Sequence, residues 1–478
     1  MSAAPYPPAG SKIHFIGICG TAMAALAAMM KESGYAITGS DANVYPPMST
    51  MLETLGIAVK SPFSARNLEP RPDLVIVGNA MSRGNPEVEE TLDMGIAYES
   101  MAEAVKRTCL MDRRSLVVAG THGKTTTSFM LAWILEVAGE SDPQFRPGFF
   151  IGGMPENFPV GFRAQPEPGG FFVIEGDEYD TAFFDKGPKF LHYQPRTLLL
   201  TSVEFDHADI YADLDAVKVA FRRLVNLVPA SGVIVAADTA AVSDVLAKAY
   251  CPVQRYGTSV ACHWRAEHIE TYEDWTRFEV FRGKDRFMRV DLKAAGEHNV
   301  MNAVGAIAMA SHLGVPERLI RQGLGTFKGV KRRMEIRGEK NGIIVVDDFA
   351  HHPTAVRATI KGVRKRFPGK KIWAILEPRS NTLRRRTFES ELTDALAEAD
   401  RVTLAAVYHA ESIPENERLE TGRVVTRLLR EGLQAAAFNT VPEIVANTVA
   451  NAKKGDVLLV MSNGGFEGIH QKLLDRLP

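Results

Sequence analysis

Gly120-Thr121-His122-Gly123-Lys124-Thr125-Thr126 puts anion and cation chemistry into one short run. Glycines let backbone N–H groups close around a phosphate, the lysine adds positive charge, and Thr125 offers a hydroxyl to a divalent cation. The first glycine of the G-x-x-x-x-G-K-[ST] pattern is replaced by Val118. Further along stand Glu175-Gly176-Asp177-Glu178-Tyr179-Asp180 and Glu204-Phe205-Asp206-His207-Ala208-Asp209. An acid at the end of a neighbouring strand is where a phosphate-loop enzyme holds magnesium. For Glu175 the bland alternative is a solvated acidic loop. His207, flanked by carboxylates, reads equally as a second metal ligand or as a packed, hydrogen-bonded histidine.

These residues need elements to aim them. The apolar run Leu116-Val117-Val118-Ala119 predicts a buried strand, and 128–138 a helix, so the loop has the strand-to-helix context that phosphate binding requires. Gly170 to Ile174 and Thr197 to Leu200 read as the strands that deliver Glu175 and Glu204. Short β-branched runs alternate with helical patterns along the whole chain, which predicts an α/β protein with parallel sheets and crossover helices. Three blocks separate: 1–112, opening on His14 to Ile18 and including Asp73 to Gly78; 113–328, from the charged link Met111 to Arg114 to the stretch around Gly325 to Gly329; and 329–478, with strands at 342–346, 371–376 and 456–461. No fixed-period repeat is visible, and the first ten residues are Pro-rich.

Composition sets bounds. The 478 residues fit about three domains at roughly 150 residues each. Fifty-six basic and 57 acidic residues nearly cancel, which gives no basis for a nucleic-acid or membrane-surface partner. Cys19, Cys109, Cys251 and Cys262 lack metal-site spacing and suggest no disulfide framework. The N-terminus has no export-signal pattern, and no apolar run approaches the ~18 residues of a membrane span. A cytoplasmic protein is the expectation.

Gly17-Ile18-Cys19-Gly20-Thr21-Ala22 resembles a dinucleotide turn, and Asp41 follows at about the 20-residue distance of a ribose-binding acid. Cys19 and Ala22 occupy two of the three glycine positions, so the match is degenerate. A nicotinamide oxidoreductase is therefore a weaker reading than a phosphate cradle of another kind.

The order G-T-H-G-K-T-T, E-x-D-E, D-H-x-D, then Gly296-Glu297-His298-Asn299-Val300-Met301-Asn302, Arg332-Arg333 and Asp347-Asp348-Phe349-Ala350-His351-His352-Pro353-Thr354 resembles the Mur ligases, ATP-dependent amide-forming enzymes of bacterial cell-wall precursors. The resemblance runs from about residue 12 to the C-terminus. It implies a Rossmann-like UDP-binding domain, a P-loop-type central ATPase domain and a Rossmann-like C-terminal domain for the amine substrate. Two branches compete. One adds L-alanine to UDP-N-acetylmuramate; the other joins the recycled tripeptide L-Ala-γ-D-Glu-meso-diaminopimelate to the same acceptor. Tyr179 where the alanine-adding branch tends to have serine, the following Thr181 to Lys186, Glu377 to Thr382 and Met461 to Phe466 resemble the tripeptide branch. A P-loop ATPase switch that makes no covalent product is the alternative from another class.

What the resemblance implies for the residues is specific. ATP would lie on Gly120 to Thr126, with Asn299, Arg333, Asp348 and His351 as further contacts, and its γ-phosphoryl would convert the carboxylate to an acyl phosphate. Two like charges at 4 Å cost roughly 4 kcal/mol at an effective dielectric of 20. Lys124 and two magnesium ions are the expected counter-charge, held by Thr125, Glu175 and His207. Lys124, Glu175, His207 and Arg333 are the expected catalytic set. Gly17, Cys19, Gly20, Thr21, Ser40, Asp41 and Asn79 would hold the UDP-sugar, and Arg379 and Asn381 the peptide. The triple arginine 384–386 reads as readily as a solvated face. The position of the carbamylated lysine found in some family members is Phe221, with Lys218 off register, so carbamylation is not expected. Pro353 after His352 predicts a helix start rather than a metal site.

Overall fold

The computed structural model describes residues 6–46, 48–165 and 167–478. The first five residues of the Pro-rich opening lie outside them. The chain forms two compact units. The first takes residues up to 204 with 215–264 and 305–323; the second takes 205–214, 265–304 and 324–478.

The first unit begins with a five-stranded parallel sheet in the order Val59–Lys60, Ala36–Ser40, Lys12–Ile16, Leu74–Val77, Tyr98–Ser100. Strand order reverses beside Lys12–Ile16, and the crevice at such a switch point is where open α/β sheets take ligands. The Gly17 turn leaves that strand and enters the helix Thr21–Glu32. In the same unit, parallel strands run Val253–Gly257, Val233–Ala237, Thr197–Leu200, Arg114–Ala119, Phe171–Gly176, Gly148–Phe150, closed by the antiparallel edge Phe162–Arg163. Arg114–Ala119 is buried from Ser115 onward, which is why its residues read as a continuous apolar run. A short antiparallel hairpin, Asp180–Ala182 with Asp185–Pro188, stands apart from the large sheets.

The second unit contains an antiparallel meander, Trp264–Thr271, Thr276–Arg282 and Asp285–Leu292. It also holds a six-stranded sheet in the order Glu335–Lys340, Ile343–Asp348, Asp456–Met461, Lys371–Leu376, Arg401–Ala405, Gln434–Phe438. Only the first pair there is antiparallel. Apolar layers pack on both faces of this sheet. The parallel cores match the sequence expectation; the hairpin, the meander and the antiparallel edges were not foreseen. Among the described residues no helix is long and apolar enough to cross a membrane.

Candidate functional site

Gly120 ends its strand at φ +136, and a Cβ there would lie 2.2 Å from Thr201 Oγ1 and 2.7 Å from the Ser202 nitrogen. No larger residue fits. The loop it opens is braced by the neighbouring strand's exit. Thr121 N donates to Ser202 O (3.1 Å), His122 N to Ser202 Oγ (2.9 Å), Thr201 Oγ1 to His122 O (2.6 Å) and Glu204 N to Thr121 Oγ1 (2.8 Å). His122 Nε2 lies 3.5 Å from the Glu204 carboxylate. Gly123 turns the chain at φ +79 into the helix Lys124–Ser141, whose first residues include Thr125 and Thr126. The braces Thr201 and Ser202 escaped sequence reasoning: nothing in their types marks them apart from the strand end on which they sit.

Lys124 Nζ donates to Gly120 O (2.7 Å) and to Glu178 Oε2 (2.8 Å). Burial works against its charge, yet Glu178 and Asp177 outweigh that and hold its pKa above the ordinary lysine value. Glu175 accepts from Thr125 Oγ1 (2.6 Å) and Gly152 N (2.8 Å). Burial first, and Asp177 second, push its carboxyl up to about 7. A buried carboxylate touching a threonine hydroxyl is the hard, all-oxygen donor set that magnesium prefers, and a cation there would relieve the unfavourable charge. These residues fit the ion.

Lys189 enters the same neighbourhood without having been singled out by its spacing. It is 5% exposed, and its ammonium lies 4.0 Å from the centre of the Tyr179 ring. Burial lowers its pKa, with partial relief from Asp177 and Asp180.

At the first sheet, Gly17 N and Ile18 N both donate to Ser40 O, at 2.8 and 3.0 Å, and Cys19 N donates to Asp41 Oδ2 at 2.9 Å. The Ser40 side chain is fully buried and donates to Glu87, which also meets His14, Asn67 and Ser64 N. Ser40 thus shapes, from beneath, the turn expected to hold the UDP-sugar. Asn79 is partly exposed beyond the strand Leu74–Val77.

In the second unit His207 adopts φ +54, and its nitrogen donates to Asp206 Oδ1 at 2.7 Å. Asp206 is buried, but His207, His351 and Thr382 overcome the cost of burial and hold its pKa well below the usual carboxylate range. Thr382 Oγ1 donates to Asp206 Oδ1 at 2.6 Å, and Asn381 Nδ2 to Asp209 Oδ2 at 2.7 Å. The motif around His207 is therefore tied to the Glu377–Thr382 segment. His352 caps the helix Pro353–Arg366, accepting from Thr354 N, and its Nε2 meets Phe205 O at 3.0 Å. His351 bonds Phe349 O through Nδ1.

Asp348 is enclosed. Its carboxylate accepts from Met334 N (2.8 Å), Ala350 N (2.8 Å) and Thr359 Oγ1 (3.1 Å). Burial raises its pKa against the pull of Arg333. Its oxygens anchor the loop that carries Arg333, the side of the third block expected to reach the nucleotide. Asn299 is likewise 8% exposed, with Nδ2 on Ala295 O at 2.8 Å. Neighbouring His298 is held neutral, its pKa lowered to about 4 by burial and then by Arg333.

Arg379 stacks on Tyr408, 3.7 Å from the ring centre, and lies 3.5 Å from Glu377. Gly464 leaves room for it: a Cβ there would sit 2.1 Å from Arg379 Nε. Glu377 accepts from Ser462 Oγ at 2.5 Å. Two stretches distant in sequence, 377–382 and 461–466, thus meet at the carboxyl ends of adjacent strands. Arg385 and Arg386 pair with Glu417 and Glu420, and Arg384 donates to Asn381 Oδ1. The triple arginine is mostly spent on such pairs. Back in the first unit, Phe221 is buried against Phe190, and Lys218 is paired with Asp244 at 2.9 Å.

A parallel sheet whose glycine-lysine-threonine loop faces a buried acid on the next strand defines a nucleotide-using P-loop protein. Three family models match in order: the Mur ligase family catalytic domain over residues 12–113, the Mur ligase middle domain over 118–310, and the Mur ligase glutamate ligase domain over 332–464. The chain belongs to the Mur ligase family, which is ATP-dependent and requires magnesium. It is 45% identical to the UDP-N-acetylmuramate–L-alanyl-γ-D-glutamyl-meso-2,6-diaminoheptanedioate ligase of Escherichia coli (strain K12), over 98% of both chains. A UDP-N-acetylmuramate–L-alanine ligase from Desulforamulus reducens is 31% identical, again over 98% of each. Among solved structures, a murein peptide ligase from Psychrobacter arcticus 273-4 superposes with a TM-score of 0.72 at 38% identity, covering 98% of each chain.

Proposed function

We propose that this chain joins L-Ala-γ-D-Glu-meso-diaminopimelate to UDP-N-acetylmuramate at the expense of ATP, in the recycling of cell-wall peptide. The cluster Lys124, Thr125, Glu175 and Glu178 carries the chemistry of this reading, because it gathers an ammonium, a hydroxyl and two carboxylates at a loop shaped for phosphate. The choice of amine is supported by the contrast between 45% identity to a tripeptide ligase and 31% to an alanine ligase over equal lengths. We assign 1–112 to the UDP-sugar, 113–328 to ATP and 329–478 to the amine.

In this reading Gly120 to Thr126 cradle the phosphates, and Lys124 exchanges its Glu178 partner for phosphoryl oxygen. Thr125, Glu175 and His207 would hold magnesium, two ions in all, and the metal supplies charge neutralisation between the phosphates and the incoming carboxylate. Asn299, Arg333 and His351 are nucleotide contacts, with Asp348 fixing the Arg333 loop. Gly17, Cys19, Gly20, Thr21, Asp41 and Asn79 attend the UDP-sugar, and Arg379 and Asn381 the peptide carboxylates. The carboxylate oxygen attacks the γ-phosphorus, ADP leaves, the amine attacks the acyl carbon, and phosphate leaves. An α-amine with a pKa near 7.7–8.0 is roughly a tenth neutral at pH 7, so no strong base has to be supplied.

Mass spectrometry of reactions holding ATP, magnesium, UDP-N-acetylmuramate and either tripeptide or L-alanine tests this reading. The tripeptide adduct is expected to dominate, and Lys124→Ala should lower its rate by about 10²–10³-fold or more at unchanged melting temperature. An alanine adduct in its place would move the chain to the other branch. ADP release without any adduct would favour an ATPase switch.

A further inference from the structure

Lys189 has no role in the account above, yet its setting is unusual for a lysine. Its side chain is buried over the Tyr179 ring, and the backbone fixes it there: Lys189 N donates to Tyr179 O and Phe190 N to Asp177 O, both at 3.2 Å. Among the described residues its ammonium has no hydrogen-bonding or ion-pairing partner. Its electrostatic neighbours are Asp177, Asp180, Glu175 and Glu178. An ammonium held over a ring face, near carboxylates but bonded to none of them, is placed to take an anionic acceptor.

Tyr179 and Lys189 form the base of the hairpin Asp180–Ala182 and Asp185–Pro188. The hairpin's tip lies on the first sheet. Phe183 packs against the cluster of Ile16, Val75 and Val77, and Phe184 meets Tyr98 edge-on at 5.0 Å. Met81 packs on the same cluster, and its terminal carbon is 3.3 Å from where a Cβ of Gly17 would stand. The hairpin therefore reaches from the region of the Gly17 turn to the acid loop beside the phosphate cradle. Lys124 already has three acceptors at that cradle, Gly120 O, Thr121 O and Glu178 Oε2, whereas Lys189 waits at the hairpin's base for an anion.

We propose that Lys189 binds the lactyl carboxylate of the acyl donor, with the Tyr179 ring as the platform that aims its ammonium. The assignment rests on the function proposed above, since a diphosphate held at the Gly17 turn leaves the sugar's lactyl group as the anion that extends toward the acid loop. Charge-assisted hydrogen bonds of this kind are the strong ones.

The test is calorimetric titration of the full chain, with magnesium and a non-hydrolysable ATP analogue present, using UDP-N-acetylmuramate and UDP-N-acetylglucosamine. The second ligand is the first without its lactyl group. Lys189→Met is expected to weaken UDP-N-acetylmuramate binding by about 10- to 100-fold, to leave UDP-N-acetylglucosamine unchanged, and to raise KM for the acyl donor with little change for ATP. Lys189→Arg keeps the charge, misplaces it, and should show a smaller loss of the same discrimination. If Lys189 merely balances the acid loop, both variants will retain the wild-type preference between the two sugars while melting temperature or ATP affinity falls; that result overturns the assignment alone. A wild-type chain that binds neither sugar overturns the function proposed above along with it.

Discussion

At the residue scale, burial of charge is the recurrent theme, and Glu99 shows it outside the catalytic cluster. Its side chain accepts from the Tyr6 hydroxyl at 2.9 Å and lies 3.5 Å from Arg107, yet burial pushes its carboxyl up to about 7. A carboxyl whose folded pKa exceeds its unfolded value favours the fold below the unfolded pKa and loses that contribution as pH rises through about 7. Glu99→Gln keeps an acceptor for Tyr6 and removes the ionisation. Its stability relative to wild type should therefore improve between pH 5 and pH 8, by about 3 kcal/mol, as read by denaturant unfolding at each pH. A constant difference across that range would show that Glu99 ionises as readily in the folded chain as in the unfolded one. None of this was legible in the sequence, because a glutamate inside a short strand carries no mark of its own burial. The gathering of Lys124, Thr125 and Glu175 at one loop was legible, since their types and spacing suit a phosphate and a cation. Motif position does not reveal whether a polar side chain points outward or, as with Ser40 and Asp348, is enclosed by the fold.

At the element scale, the strands that deliver the chemistry were the easiest to read. Arg114–Ala119, Thr197–Leu200 and Asp456–Met461 are buried on both faces and appear as unbroken apolar runs. The hairpin at 180–188 was invisible because its strands are short, polar and hold only a few cross-strand pairs. Its importance lies in tertiary placement, which periodicity does not encode. The loop after Asp456–Met461 makes a sharper case. Gly464 has no positive-φ signature and is required only because the Arg379 side chain crosses above it. Gly464→Ala should displace Arg379 from its stack on Tyr408, raising KM for the tripeptide about tenfold or more while leaving KM for ATP near its wild-type value. If both constants are unchanged, Arg379 is not a peptide contact.

At the scale of the whole molecule, an alternation of strand and helix foretold three α/β sheets, and the order of motifs along the chain foretold the family. The antiparallel meander at 264–292 was missed because nothing in its spacing set it apart from the alternation of strand and helix read along the whole chain. What unites the parts is the claim that the energy of a phosphoanhydride is transferred to a carboxylate before the amine arrives. Labelling tests it directly. UDP-N-acetylmuramate carrying oxygen-18 in its lactyl carboxylate is turned over with ATP, magnesium and the tripeptide, and the released phosphate is weighed by mass spectrometry. One labelled oxygen per phosphate is the predicted result; amide product accompanied by unlabelled phosphate would contradict the account.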